Sequence, residues 1–371
     1  MKREIALSFL LLTLTASAND GVYYTSGNQL VPLQETTIRV DKEVLTISLT
    51  DEGYASVDVY YEFFNPENKD KVLLMGFEAD PSYNDDYLFH ADGIHPHILD
   101  FSVEVNGQRM EYKNAVSQTI ETGEFAPLDT SQWVIEDEPE VWIHRKGNEE
   151  ESIRYAYVYY FNATFHPGMN KVHHTYRYTE SMSVSQIFEI PYKLTPASRW
   201  AGGQIADFTL IVEALHTAKH FLIQKKPFGN HPFEITQGTG KVRESKDYVS
   251  ACWEFSLRNG RIEWHQQDFT PKDELFIQSA DINYLSEKLG SFHDRGRYHS
   301  FVPLEKTQDM LRIARNLPYA HRGRIFKDKK LQRYFDSLWW YMPDPTYRDD
   351  TSDFTKVDWM FIQGKLHNWS E

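Results

Sequence analysis

The chain is nearly free of cysteine. Among its 371 residues only Cys252 carries a thiol. An intramolecular disulfide is therefore excluded, and stability has to come from an apolar core. Cys252 stands between Ala251 and Trp253 in a strand-like run, with no sequence neighbour that would lower its pKa. It reads as a buried, inert thiol rather than a nucleophile. Long apolar runs are missing beyond the amino-terminal segment, and a membrane-crossing helix needs about 20 apolar residues. Also missing are an H-E-x-x-H helix, a Cys cluster, a Ca²⁺ loop, a G-x-S-x-G elbow, a phosphate loop and a dinucleotide fingerprint. No cofactor is expected on these grounds.

Positive charge is scarce as well. The chain carries 39 Lys or Arg against 54 Asp or Glu, a net charge of −15. The deficit is concentrated in residues 19–300, with 25 basic and 43 acidic side chains. Such a surface repels phosphate backbones, which argues against a nucleic-acid partner.

What is present begins with MKREIALSFLLLTLTASAND. Lys2 and Arg3 precede the apolar run Ile5 to Leu14, and Ala16-Ser17-Ala18 forms an A-x-A cleavage pattern. This reads as a signal peptide over residues 1–18. The expected mature protein starts at Asn19, is exported to the periplasm or secreted, and has no transmembrane helix once the signal is removed.

Alternating apolar and polar residues dominate the next three-quarters of the chain. The run EVLTISLTDEGYASVDVYYEFFN predicts two strands around Asp51-Glu52-Gly53, and Asn106-Gly107 and Asn259-Gly260 predict further turns. Many short strands with few helix signals predict a mostly β fold, antiparallel and sandwich-like, in one or two units. The acidic stretch 134–152 reads as a loop or linker between a first part, 19–133, and a second part, 153–295.

From residue 301 to 366 the period changes to helical. Met310, Leu311, Ile313, Ala314 and Leu317 share one face, and Pro318 is expected to end that helix near Asn316. Asp328 is placed to cap a second helix bearing Leu331, Tyr334, Phe335 and Leu338. Thr351 or Ser352 is placed to cap a third, with Phe354, Val357, Phe361 and Ile362 on its face and Gly364 near its end. Nine basic and two acidic residues lie between Lys306 and Arg333, and five acidic and two basic between Asp344 and Asp358. Opposed blocks in so small a unit suggest arginines paired inside it. The other reading is a cationic face for an anionic partner, made by Arg312, Arg315, Tyr319, His321, Arg322 and Arg324.

This segment, about residues 304–364, resembles the YARHG domain. Leu311, Arg312, Ala314, Arg315 and Asn316 match its first helix. Tyr319, Ala320, Gly323, Phe326, Leu331, Tyr334, Phe335, Trp340 and Tyr341 match the rest of its signature. The order His321-Arg322 departs from the family's Arg-His. The resemblance implies an exported accessory module without an established activity. Farther upstream, the strand pair around VYYEFFNPENKDKVLLMGFEA and the segment holding Tyr192, Leu194, Trp200, Gly202, Gly203 and Ile205 resemble an exported bacterial β-rich family of unknown function.

One histidine group invites a metal reading. His90, His95 and His97 lie within FHADGIHPHILD, and a His-x-His pair on a strand shares a face. Pro96 between the two works against a regular strand, and surface histidines in a polar loop are the plainer explanation. Taken together, the residues favour a non-enzymatic binding or interaction protein of the bacterial envelope, whose partner would be an envelope polymer or a protein. An envelope hydrolase acting on glycans or peptides, and a structural subunit of an envelope assembly, stand as alternatives.

Overall fold

In a computed structural model of the chain, the described residues are 27–33, 36–50, 53–81, 90–118, 125–135, 142–181, 188–214, 219–245, 251–279, 289–292, 300–303, 308–354 and 356–364. The signal segment and Asp51-Glu52 lie outside them, as do the side chains of Met310 and Val357.

In chain order the strands are β1 (Leu30–Pro32), β2 (Arg39–Leu49), β3 (Tyr54–Asn65), β4 (Lys71–Ala79), β5 (Ile98–Val105), β6 (Gln108–Arg109) and β7 (Lys113–Gln118). Next come β8 (Trp133–Ile135), β9 (Trp142–Arg145), β10 (Asn148–Phe165), β11 (Gly168–Thr179), β12 (Glu189–Tyr192) and β13 (Ile205–Ala214). The last are β14 (Lys219–Gln224), β15 (Glu234–Ser245), β16 (Cys252–Phe269), β17 (Leu275–Ser279), β18 (Leu289–Phe292) and β19 (Ser300–Pro303).

Two sheets face each other. The smaller runs β1-β4-β10-β9-β8, with β7 also on β10. The larger runs β12-β17-β14-β16-β13-β2-β3-β11-β5-β6, with β15 also on β16 and β13 parallel to β2. The acidic stretch 134–152, expected as a loop or linker, instead contributes β9 and parts of β8 and β10 to the smaller sheet, and strands from both sides of it share both sheets and one apolar core. The fold is thus mostly β, with a small helical part at the C-terminal end.

The strand period does the sorting. In β3 the residues Ala55, Val57, Val59, Tyr61 and Phe63 turn inward, leaving Ser56, Asp58, Tyr60 and Glu62 on the outer face. The inward residues of the two sheets meet in an aromatic cluster. Phe77 of the smaller sheet lies 4.8 Å from Tyr176 and 5.1 Å from Phe101 of the larger, centroid to centroid. Each such pair contributes about 0.5–1.5 kcal/mol beyond the area it buries.

Asn106 and Gly107 take positive φ (52° and 80°) and close the β5–β6 hairpin as their sequence predicts. Asn259-Gly260 does not make a turn. It sits inside the 18-residue strand β16, with Asn259 at φ 45°. Before this point β16 pairs with β14, and after it with β13. The dipeptide is a bulge at which the strand exchanges one neighbour for another.

Three helices follow: α1 (Gln308–His321), α2 (Lys329–Asp336) and α3 (Lys356–Gln363). Ala314, Leu317, Ala320, Phe326, Leu331, Phe335, Trp340, Tyr341 and Phe361 form their core. Pro318 lies inside α1 rather than ending it. Leu317 and Ala320, on either side of Pro318, are both buried, and this packing outweighs the hydrogen bond that proline removes. Asp328 caps α2, accepting from the backbone N–H of Lys330 and Leu331 at 3.0 and 2.8 Å. Thr351 does not cap α3. Its carbonyl instead accepts from Phe354 N–H at 3.1 Å in a separate turn before the helix.

Candidate functional site

The arginines near Gly323 have different surroundings. Arg322 is enclosed. Its Nε donates to Asp353 and its Nη2 to Asp358, both at 2.9 Å, and Nη1 donates to the Pro318 carbonyl at 3.0 Å. The guanidinium also covers the Phe354 ring at 4.1 Å. Burial alone would lower its pKa, but the two carboxylates outweigh that and raise it. Arg312 pairs at 3.0 Å with Asp328, the cap of α2, and so ties α1 to α2. Arg324 lies 3.4 Å from Asp349 and covers the Tyr319 ring at 4.8 Å. Arg315 is exposed, with its guanidinium against Gly364 at the end of α3. His321 faces the Trp340 ring edge-on at 4.7 Å, and burial, then the Arg322 charge, hold its pKa down at about 3. The His321-Arg322 order therefore puts an imidazole beneath Trp340 and a guanidinium among carboxylates.

A second constellation joins this module to the larger sheet, and sequence reasoning passed over it. Lys241 of β15 donates to the carbonyls of Trp339 and Tyr341 at 3.0 and 2.8 Å. From β16, Ser256 Oγ donates to the Trp340 carbonyl at 3.2 Å and Arg258 Nη1 to that of Met342 at 2.8 Å. Four successive carbonyls are thus taken by three outward side chains of two neighbouring strands. Beneath Trp339 lies a buried acid. Glu254 accepts from His220 Nε2 at 2.8 Å and from Arg243 Nε at 2.6 Å, and Arg243 in turn covers the Trp339 ring at 4.3 Å. Burial would raise the Glu254 pKa, yet these hydrogen bonds prevail and hold it at about 2. The alternation of β16, with Trp253, Phe255 and Leu257 in the core, marks Ser256 and Arg258 as outward-facing, and Lys241 is the cross-strand partner of Ser256. Their acceptors are backbone atoms, which carry no residue-type signal.

Of the histidine group, His95 is buried rather than on the surface as expected, and backbone groups hold its ring. His95 Nε2 donates to the Asp80 carbonyl at 2.8 Å, and Nδ1 accepts from His97 N–H at 3.1 Å. As placed, both ring nitrogens of His95 are taken. Burial lowers its pKa to about 3. His97 Nδ1 lies 3.3 Å from Thr179 Oγ1, and His90 donates its backbone N–H to Tyr157. Among the described residues no three His, Cys, Asp or Glu side chains come together at metal-binding spacing. Cys252 is buried, which pushes its thiol up to about 11.

The arrangement defines a class: a two-sheet β body with a helical module docked on the outer face of its larger sheet. Residues 301–362 match the YARHG domain, and residues 18–126 match a domain of unknown function, DUF4424. The segment around Tyr192, Leu194 and Trp200 falls outside the second match. No curated protein matches the chain. Among solved structures the chain is similar to a candidate nutrient binding protein from Legionella pneumophila subsp. pneumophila str. Philadelphia 1. The two are 19% identical over 93% of this chain and 99% of that one, with a TM-score of 0.49. An M1 zinc metallopeptidase from Deinococcus radiodurans is 11% identical, covering 67% of this chain and 43% of its own, with a TM-score of 0.25. Baculovirus P35 is 11% identical over 66% of this chain and 97% of its own, also with a TM-score of 0.25. No helix among the described residues is long and apolar enough to cross a membrane.

Proposed function

We propose that the chain is an exported, non-enzymatic binding or interaction protein of the bacterial envelope, periplasmic or secreted. Its β body presents the recognition surface, and its YARHG module is an accessory unit fastened to that body. The observation that supports this reading is the capture of the carbonyls of residues 339–342 by Lys241, Ser256 and Arg258. A module held in this way acts as part of one rigid presenting surface. In the basic turn, Arg322 and His321 serve the scaffold. Arg315, with the outer edges of Arg312, Arg324 and Tyr319, would meet an anionic envelope polymer.

Two measurements test this. The full chain is used to capture partners from envelope extracts, and its binding to purified anionic cell-wall polymer is followed as salt rises. The reading expects a saturable partner, and for the basic turn a steep loss of polymer binding with salt that Arg315→Glu deepens. Turnover of glycans or peptides by the purified chain would overturn the non-enzymatic reading.

A further inference from the structure

The outer face of the larger sheet carries the helical module at its β14–β16–β15 end. Toward its other end, on β3, β11 and β5, it carries a groove of about 450 Å³ lined by Asp58, Tyr60, Glu104, Gly107, Lys171 and His173. This volume is within the usual range for small-molecule sites, about 300–1,000 Å³. The register explains the grouping. His173 is paired directly with Tyr60 on one side and Glu104 on the other, so the three form one row across the sheet. Asp58 and Lys171 lie two residues away along their strands, one to each side of that row.

The wall of the groove is organised before any ligand arrives. Asp58 Oδ2 lies 2.9 Å from His173 Nε2, and Tyr60 donates to Glu62 at 2.8 Å, which fixes the imidazole and the phenol. The rim is set by the β5–β6 hairpin. Asn106 N–H donates to the Lys171 carbonyl at 2.7 Å, and Asn106 Oδ1 accepts from Lys171 N–H at 2.9 Å. Gly107 follows at φ 80°, with open space where a Cβ would be. Lys171 and Glu104 are exposed and of opposite sign, at diagonal positions whose backbones lie about 7–8 Å apart, and Glu62 of β3 stands directly opposite Lys171. Neither forms an ion pair among the described residues.

We infer that this groove takes a small zwitterion of the α-amino acid class. Its carboxylate would meet Lys171 and its ammonium Glu104 and Asp58, over the ring of Tyr60. Such a ligand carries both charges within a few bonds and satisfies an acid and a base that do not satisfy each other. A single anion leaves Glu104 unmatched, and a neutral sugar leaves both Lys171 and Glu104 so. The inference rests on the binding-protein reading and names a ligand class for its β surface.

The experiment is calorimetric titration of the full chain with a panel of free α-amino acids. Each is accompanied by its N-acetyl and its carboxamide derivative, with glucose as the neutral probe. At least one free amino acid is expected to bind, with both blocked forms weaker. Lys171→Met and Glu104→Gln should each weaken binding about twofold to fivefold, the worth of an exposed charge pair. Lys226→Met, at a surface lysine paired with Asp273, should leave it unchanged. Absence of binding across the panel, equal binding of a blocked form, or insensitivity to both groove variants would overturn the assignment. If the panel fails while envelope capture yields a partner, the groove assignment falls and the broader binding reading stands.

Discussion

Arg258 and Gly323 are made for each other. The guanidinium of Arg258, 2.8 Å from the Met342 carbonyl and 3.6 Å from Asp344, occupies the space that a side chain at Gly323 would fill. A Cβ there would lie 2.2 Å from Arg258 Nη1 and 2.8 Å from the Met342 carbonyl oxygen. The glycine of the YARHG signature thus has two physical reasons in this chain, a φ of +86° and the guanidinium beside it.

Gly323→Ala should therefore destabilise the docked module by more than about 1 kcal/mol, the ordinary cost of alanine at positive φ. Arg258→Met should relieve part of the clash, so the two substitutions should be non-additive in a double-mutant cycle. Urea unfolding followed by tryptophan fluorescence measures this. Strict additivity would mean the two sites do not communicate.

Arg258→Met alone leaves the Met342 carbonyl without its donor in a buried setting, at a cost of about 1–3 kcal/mol. The loss should be local. Hydrogen exchange should rise in residues 308–364 before it rises in β2, β3 or β11. Uniform acceleration across the body would contradict a separable module.

Arg322→Met removes one partner from two carboxylates, Asp353 and Asp358, of which Asp358 is largely buried. About 3–5 kcal/mol is the expected order for breaking a buried pair, and partial exposure of Asp353 places this case toward the lower end. Arg315→Met, at an exposed guanidinium, should stay within about 0.5 kcal/mol of the parent. Equal losses at the two positions would remove the distinction between scaffold and surface drawn here.

Two buried acids should shape the pH profile in opposite ways. Glu254 titrates at about 2 when folded, below its ordinary 4.5. Its contribution is present above pH 4.5 and is lost as pH falls from there toward 2. Glu43 is raised to about 8 by burial, partly offset by the hydrogen bond from Gln29 Nε2 at 2.7 Å. The folded chain then holds a proton that the unfolded chain has released, and stability falls as pH rises from 4.5 to 8. Melting temperatures across this range should show Glu254→Gln flattening the acid limb and Glu43→Gln the neutral limb. A Glu43→Gln profile with the parental slope would show that Glu43 is already ionised in the folded protein.

Much of the fold could be read because its signals are local. The inward row of β3, the Asn106-Gly107 turn and the Asp328 cap each follow from a few neighbouring residues. Where the reading departed from the structure, distant contacts decided. Asn259-Gly260 has the composition of a turn, but β14, β13 and β15 all pair with the strand that contains it, and it becomes a bulge. Pro318 has the composition of a helix end, but Leu317 and Ala320 are both buried in the module's core, and the helix continues. The docking residues were out of reach for a different reason. Lys241, Ser256 and Arg258 bind backbone carbonyls 84 to 100 positions away, separations invisible to any local pattern.

The bulge at Asn259 also decides which side of the sheet each half of β16 addresses. Upstream, the even-numbered Glu254, Ser256 and Arg258 face outward. Downstream, Arg261, Glu263 and His265 do so, and the even-numbered Ile262 and Trp264 turn into the core. One additional residue resets the parity between a half that grips the helices and a half that seals the interior. Deleting that extra residue would leave an unbroken strand with the same sides outward, whereas a single-residue deletion within either half, with the bulge kept, would act as a frameshift in space and turn part of the oily side to water.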